Sequence, residues 1–207
     1  MLLTQVDVEG EKFTRRQVFL SGMLDQSVGR TVDCARRRDV MLAPAPAGLG
    51  LVLGQEALLT RALEVLLETA VKFSKAGETV RLAGRPLDGN TTRLTIESRG
   101  NVIPADSLSS FFDVLTLSEA STPGGDLGLG PAVAHRVLSL FGGSVSVENR
   151  AYPGIRLTID FRSAENAANV VMVDEAASVE MNFVRESGRR IVNSPPPPPE
   201  RGVVLAG

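Results

Sequence analysis

The chain holds one cysteine, Cys34, and one histidine, His135. A lone cysteine permits no internal disulfide, and without a Cys/His cluster no zinc site can be assembled from those ligands. A reducing, cytoplasmic setting is the expectation. Also missing is any apolar run approaching the roughly 20 residues that span a bilayer, and the first residues carry no apolar stretch of signal length. Direct membrane contact is not expected; if the chain serves a membrane sensor, the membrane part lies elsewhere. Charge of one sign is lacking too. Lys+Arg 22 stand against Asp+Glu 24, a formal net charge of -2, so nothing draws the whole molecule toward nucleic acid or anionic lipid. The Arg36-Arg37-Arg38 cluster is local and suits the negative end of a helix dipole.

What is present is enough for one substantial core: 207 residues, 43% of them hydrophobic, with a Pro/Ala-rich tail that leaves little for a second. Residues 1–16 are polar and weakly patterned, which fits a strand-like arm, a linker or the end of a preceding segment. Residues 17–163 read as the folded domain. Residues 164–207 read as an extension, in part disordered, in which Val170-Val171-Met172-Val173 could form a strand and Ala176 to Arg185 a short helix. Pro195 to Pro199 is expected as extended polyproline, more a spacer than a ligand.

Within the domain, Phe19, Met23, Val28, Val32 and Ala35 fall near helical spacing and predict an amphipathic helix from Val18 to Ala35. Short strands follow at Val40 to Ala43 and Leu51 to Leu53. The clearest helix runs from about Gln55 to Phe73, with Leu59, Leu63, Leu66, Ala70 and Phe73 on one stripe. Gly77 stops it. Glu78 to Ala83 and Thr91 to Ile96 alternate as strands around a Pro86-Leu87-Asp88-Gly89-Asn90 turn. Residues 105–127 hold a short helix near Leu108 to Phe112 and a Ser/Thr/Pro/Gly-rich segment expected to be a mobile flap. A helix from about Leu129 to Phe141 ends at Gly142-Gly143, and Ser144 to Glu148 and Ile155 to Phe161 supply a last pair of strands. The order predicts an α+β fold: a two-layer sandwich of a mixed, mostly antiparallel sheet covered on one face by helices.

Three short boxes stand in order along this pattern: Leu66-Leu67-Glu68-Thr69-Ala70-Val71-Lys72-Phe73-Ser74, then Glu97-Ser98-Arg99-Gly100-Asn101-Val102-Ile103-Pro104, then Gly128-Leu129-Gly130-Pro131-Ala132-Val133. From Val18 to Phe161 the chain resembles the catalytic, ATP-binding domain of sensor histidine kinases, in the superfamily of the gyrase and MutL ATPases. The resemblance implies a nucleotide pocket with degenerate boxes. Thr69 stands where the family has an Asn that ligates magnesium, and a hydroxyl is a shorter ligand for a hard cation. Val65, where the family often has another Asn, ligates nothing. Ser98 stands where an Asp accepts from the adenine amino group; a neutral hydroxyl weakens a charge-assisted bond worth roughly 1.5–3 kcal/mol. Glu97, next to it, should point to the other face of its strand.

Gly100 keeps the first glycine of the second box, and Val102 replaces the next. Gly128 and Gly130 match the third box, while Asp126 stands where another glycine is usual. Two readings of Asp126 stand equal: a carboxylate that caps the following helix from within and repels phosphate, or a solvated flap residue. Arg156 is assigned to the last-strand position where a small hydroxyl residue is common. Lys72 is retained, either to meet a phosphate or as a solvated cation. His135, followed by Arg136, does not read as a phosphoacceptor, and no dimerising helical segment to carry one is evident.

Three functions fit. The favoured one is a pseudo-kinase: a protein-interaction module of bacterial phosphorelay signalling with weak or no binding of ATP and magnesium. Its expected partner is a response-regulator receiver domain or a kinase helical domain, and a homodimer is compatible with it. The second is a working kinase domain in which Thr69, Lys72, Ser98, Gly128 and Gly130 still bind ATP. The third is a scaffold that dimerises through its first helix or a sheet edge.

Overall fold

The computed structural model describes residues 15–113 and 127–164. The chain divides into two compact units, Met1–Ala168 and Asn169–Gly207, and every described residue belongs to the first. The expectations for residues 1–14, for most of the flap with Asp126, and for the extension with its polyproline run lie outside the described residues.

Strand β1 (Arg16–Phe19) leads directly into helix α1 (Leu20–Arg37), followed by β2 (Met41–Leu42), β3 (Leu51–Gly54), α2 (Glu56–Phe73), β4 (Thr79–Asp88) and β5 (Thr91–Glu97). A one-turn helix α3 (Ala105–Leu108), helix α4 (Gly130–Leu140) and strands β6 (Ser144–Asn149) and β7 (Ile155–Arg162) complete the described elements. The strands form an antiparallel pair, β1 with β3, and a five-stranded sheet of order β2-β4-β5-β7-β6. In that sheet only β2 and β4 are parallel. This is the mixed, mostly antiparallel α+β architecture that the sequence pattern predicts.

Helix α2 is the spine. Leu59, Leu63, Leu66, Ala70 and Phe73 are all buried, as their stripe predicts, and Ala62, Leu67 and Val71 widen the apolar face. The sheet answers with Val80, Leu94, Ile96, Leu157 and Ile159, every second residue along its strands. Ser74 ends α2: its backbone turns extended while its hydroxyl donates to Ala70 O at 2.9 Å.

Four features differ from the periodicity. Val18 and Phe19 belong to a strand, because they pair with Val52 and Leu51 across β3. The buried face of α1 is rotated accordingly: Phe19 and Val32 are exposed, and Leu20, Met23, Leu24, Ser27, Thr31 and Ala35 face inward. Ser27 and Thr31 tolerate burial because the Ser27 hydroxyl shares its proton between Met23 O and Thr60 O and the Thr31 hydroxyl donates to Ser27 O. Strand β4 continues through Pro86 and Leu87, with an irregular register there, so the hairpin turn is shorter than the composition indicates. The one-turn helix begins right after Pro104 and stops at Leu108. Phe111 beyond it packs edge-on against Phe73, with ring centroids 6.2 Å apart.

Candidate nucleotide site

The first two boxes meet where α2 ends against the end of β5. Lys75 N donates to Arg99 O and Asn101 N to Phe73 O, at 2.9 and 2.8 Å, so the two segments are stitched by backbone. Gly100 sits at the crossing with φ 152°, and a Cβ there would lie 2.5 Å from Phe73 O. Only glycine fits that approach.

Thr69 lies one turn before the end of α2, buried, and its hydroxyl donates to Val65 O at 2.8 Å. This is the back-bond to the i−4 carbonyl that a helical threonine commonly makes. Lys72 is half-buried in the last turn of the same helix. Ser98 is fully buried just past β5. Its N–H donates to Ile155 O at 3.0 Å, and its Oγ accepts the N–H of Ile155 at 3.2 Å. Val102 is exposed, whereas Ile103 beside it is buried. The Asn149 side chain holds that loop from β6, accepting from Ile103 N at 2.8 Å and donating to Ile103 O at 2.7 Å.

The third box opens α4. Gly128 turns the chain at φ 55°, Gly130 is the first helical residue, and Pro131 occupies the first turn, where its missing N–H costs nothing. A Cβ on Gly130 would lie 2.9 Å from Val65 Cγ1, which brings the third box against α2 at the residue just before the first box. Thr69, Lys72, Gly128 and Gly130 thus share the α2–α4 side, with Ser98 and Gly100 on the β5–β7 side. Asp126, outside the described residues, is not placed.

One assignment is corrected. Arg156 does not face this region: it lies opposite Glu97 in register, and its guanidinium bonds Glu97 and Glu148 at 2.7 and 2.8 Å on the outer face of the sheet. Those two hydrogen bonds, Glu97 first, hold the Arg156 guanidinium above its ordinary pKa range. Glu97 does point away from Ser98, as strand alternation predicts. The last-strand residue beside Ser98 is Ile155, buried and apolar. Gly154 before it has φ 142°, and a Cβ there would collide with Ser98 O.

Asn149, Gly154 and Ile155 stand at this site outside the three boxes. The alternation of Ile155, Leu157, Ile159 and Phe161 already marks the inner parity of β7, while nothing local marks Asn149. His135 is exposed on α4 and stacks on Phe112 with centroids 5.5 Å apart. Among the described residues no three His, Cys, Asp or Glu side chains gather as a metal site, and no helix is long and apolar enough to cross a membrane.

Known proteins carry the same pattern. The adaptive-response sensory kinase SasA of Prochlorococcus marinus is 26% identical over 110 residues, covering 53% of this chain and 29% of that protein. The sensor histidine kinase AruS of Pseudomonas aeruginosa is 27% identical over 166 residues, covering 67% of this chain and 16% of that protein. The chain therefore spans less than a third of either relative. Among solved structures, full-length ShkA in complex with AMPPNP superposes with a TM-score of 0.61 at 22% identity, over 79% of this chain and 34% of that one. The family model of histidine kinase-, DNA gyrase B- and HSP90-like ATPases matches residues 54–165, and the chain belongs to that family.

Proposed function

We propose that this histidine-kinase-type ATPase domain works in bacterial two-component signalling as a pseudo-kinase, acting through protein contacts with weak or no binding of ATP. The observation that carries the reading is the state of the two hydroxyls at the ligand positions. Thr69 donates its proton to Val65 O, and Ser98 is fully buried with its oxygen on the N–H of Ile155. A magnesium ion asks for an unencumbered oxygen at the first position, and an adenine amino group asks for a strong acceptor at the second. Thr69 falls short in reach, a short hydroxyl buried and turned back onto its own helix; Ser98 falls short in charge, a neutral oxygen that already accepts one hydrogen bond; and Ile155 adds no polar side chain. Losing one charge-assisted bond of roughly 1.5–3 kcal/mol weakens binding about tenfold or more.

The relatives named as sensory kinases support a partner drawn from the same signalling chemistry: a response-regulator receiver domain or a kinase helical domain. A second reading, a kinase with an altered ligand set, is favoured by the retained Lys72, by Gly128 in the turn before α4, and by Gly130 packed against Val65 of α2.

Calorimetric titration of the full chain with ATP, with and without magnesium, tests the choice. The expected result is no saturable binding up to millimolar nucleotide, and magnesium-dependent binding once Thr69→Asn and Ser98→Asp are combined. Micromolar affinity of the unmodified chain, left unchanged by the double substitution, would overturn the pseudo-kinase in favour of the altered kinase.

A further inference from the structure

The tyrosine on the β6–β7 hairpin lies between two cations. Arg150 Cζ stands 4.1 Å and Arg99 Cζ 4.9 Å from the centroid of the Tyr152 ring, and the ring remains 38% exposed. The two guanidinium groups differ in what else they meet. Arg150 is ion-paired with Glu97 and nearly buried, so its charge is compensated. Arg99 is exposed and has no carboxylate within ion-pair distance among the described residues, and the same holds for exposed Lys75.

Lys75, Glu78, Arg99, Gly100, Tyr152 and Pro153 line one cleft, between the loop that follows α2 and the hairpin. Its walls are preorganised. Gly100 N donates to Pro153 O, Arg150 N to Gly154 O, and Lys75 N to Arg99 O. A part-exposed aromatic ring held between a compensated arginine, Arg150, and an uncompensated one, Arg99, has the composition of an interface anchor, in which little side-chain entropy remains to be lost on binding. With one carboxylate, Glu78, against Lys75 and Arg99, the cleft is locally positive on a chain whose net charge is -2.

We infer that this cleft is a docking site for an acidic segment of a partner protein, with Tyr152 as its anchor and Lys75 and Arg99 as its charge contacts. The inference rests on the reading of the chain as an interaction module. Its test is separate from nucleotide binding: Lys75 lies outside the three boxes, and Arg99, though within the second, stands at none of the assigned ligand positions.

The chain has one tyrosine and no tryptophan, so intrinsic emission reports on Tyr152 alone. The full chain is titrated with fluorescein-labelled deca-glutamate, reading peptide anisotropy, and with unlabelled deca-glutamate, reading tyrosine emission. Deca-lysine, inorganic phosphate and phosphatidylglycerol vesicles serve as separate arms. The expected result is a saturable change in both signals with deca-glutamate only, weakened by salt. Lys75→Glu with Arg99→Glu should lower the affinity about tenfold or more at unchanged thermal stability, while Arg99→Lys should retain most of it. Peptide binding without a change in tyrosine emission, equal binding by the charge-reversed variant, or a response to phosphate or vesicles in place of the peptide would overturn the inference. A calorimetric failure to bind ATP leaves each of these outcomes readable.

Discussion

The two faces of the five-stranded sheet are built from alternate residues of the same strands and held by opposite chemistry. Leu94, Ile96, Leu157 and Ile159 point inward and are fully buried, whereas their chain neighbours Arg93, Glu97, Arg156 and Asp160 form ion pairs on the outer face. The outer pairs follow register: Arg93 lies opposite Asp160, and Glu97 opposite Arg156. Burial of an apolar side chain is worth ~1.5–3 kcal/mol, while an exposed ion pair contributes ~0–1 kcal/mol. Stability is therefore concentrated on the inner face, and so is the candidate site, because Ser98 and Ile155 share that parity.

The largest effect should come from breaking the inner face at a position whose next residue faces out. Leu94→Ala is expected to cost about 3 kcal/mol, and Thr95→Ala, one residue along, which loses a β-branched side chain and a hydroxyl bond to Ala83 O, about 1 kcal/mol or less, both read by chemical denaturation. Equal costs would refute the division. Gly154→Ala comes next: the positive φ and the collision with Ser98 O should cost about 2 kcal/mol. Amide exchange should show protection falling first at Ser98 and Ile155. Uniform loss across the sheet would mean that the hairpin does not brace the second box.

Much of this arrangement was legible because it is periodic. The stripe of α2 and the alternation of β5 and β7 announce their inner residues, the first two boxes fall where α2 and β5 end, and the third opens α4. What escaped was set by partners distant in sequence. Val18 and Phe19 satisfy a helical period and become strand because β3 offers them a ladder. Ser27 and Thr31 look like surface residues until their hydroxyls are seen to be bonded to carbonyls inside the helix layer. Asn149 is an ordinary strand-end residue whose role depends on Ile103, 46 positions away. Arg156 shows the limit of spacing alone: a family pattern puts it at the pocket, whereas the parity of its own strand puts it on the outer face.

The smallest effect sharpens the comparison from the outer side. Arg156 bonds Glu97 and Glu148 but remains 38% exposed, so solvent screening leaves Arg156→Ala a cost below about 1 kcal/mol. Its folded pKa is raised, so its stabilising contribution is fully present below the unfolded value and is lost only as pH rises through the folded one. An arginine titrates far above neutrality, and the stability difference between the parent chain and the variant should stay flat from about pH 7 to about pH 10. Added salt should shrink that difference, because the charges are screened, whereas the cost of Leu94→Ala should respond much less. If salt left the Arg156 difference unchanged, the outer face would be held by the packing of its long side chains rather than by charge, and the two faces would differ in composition but not in physics.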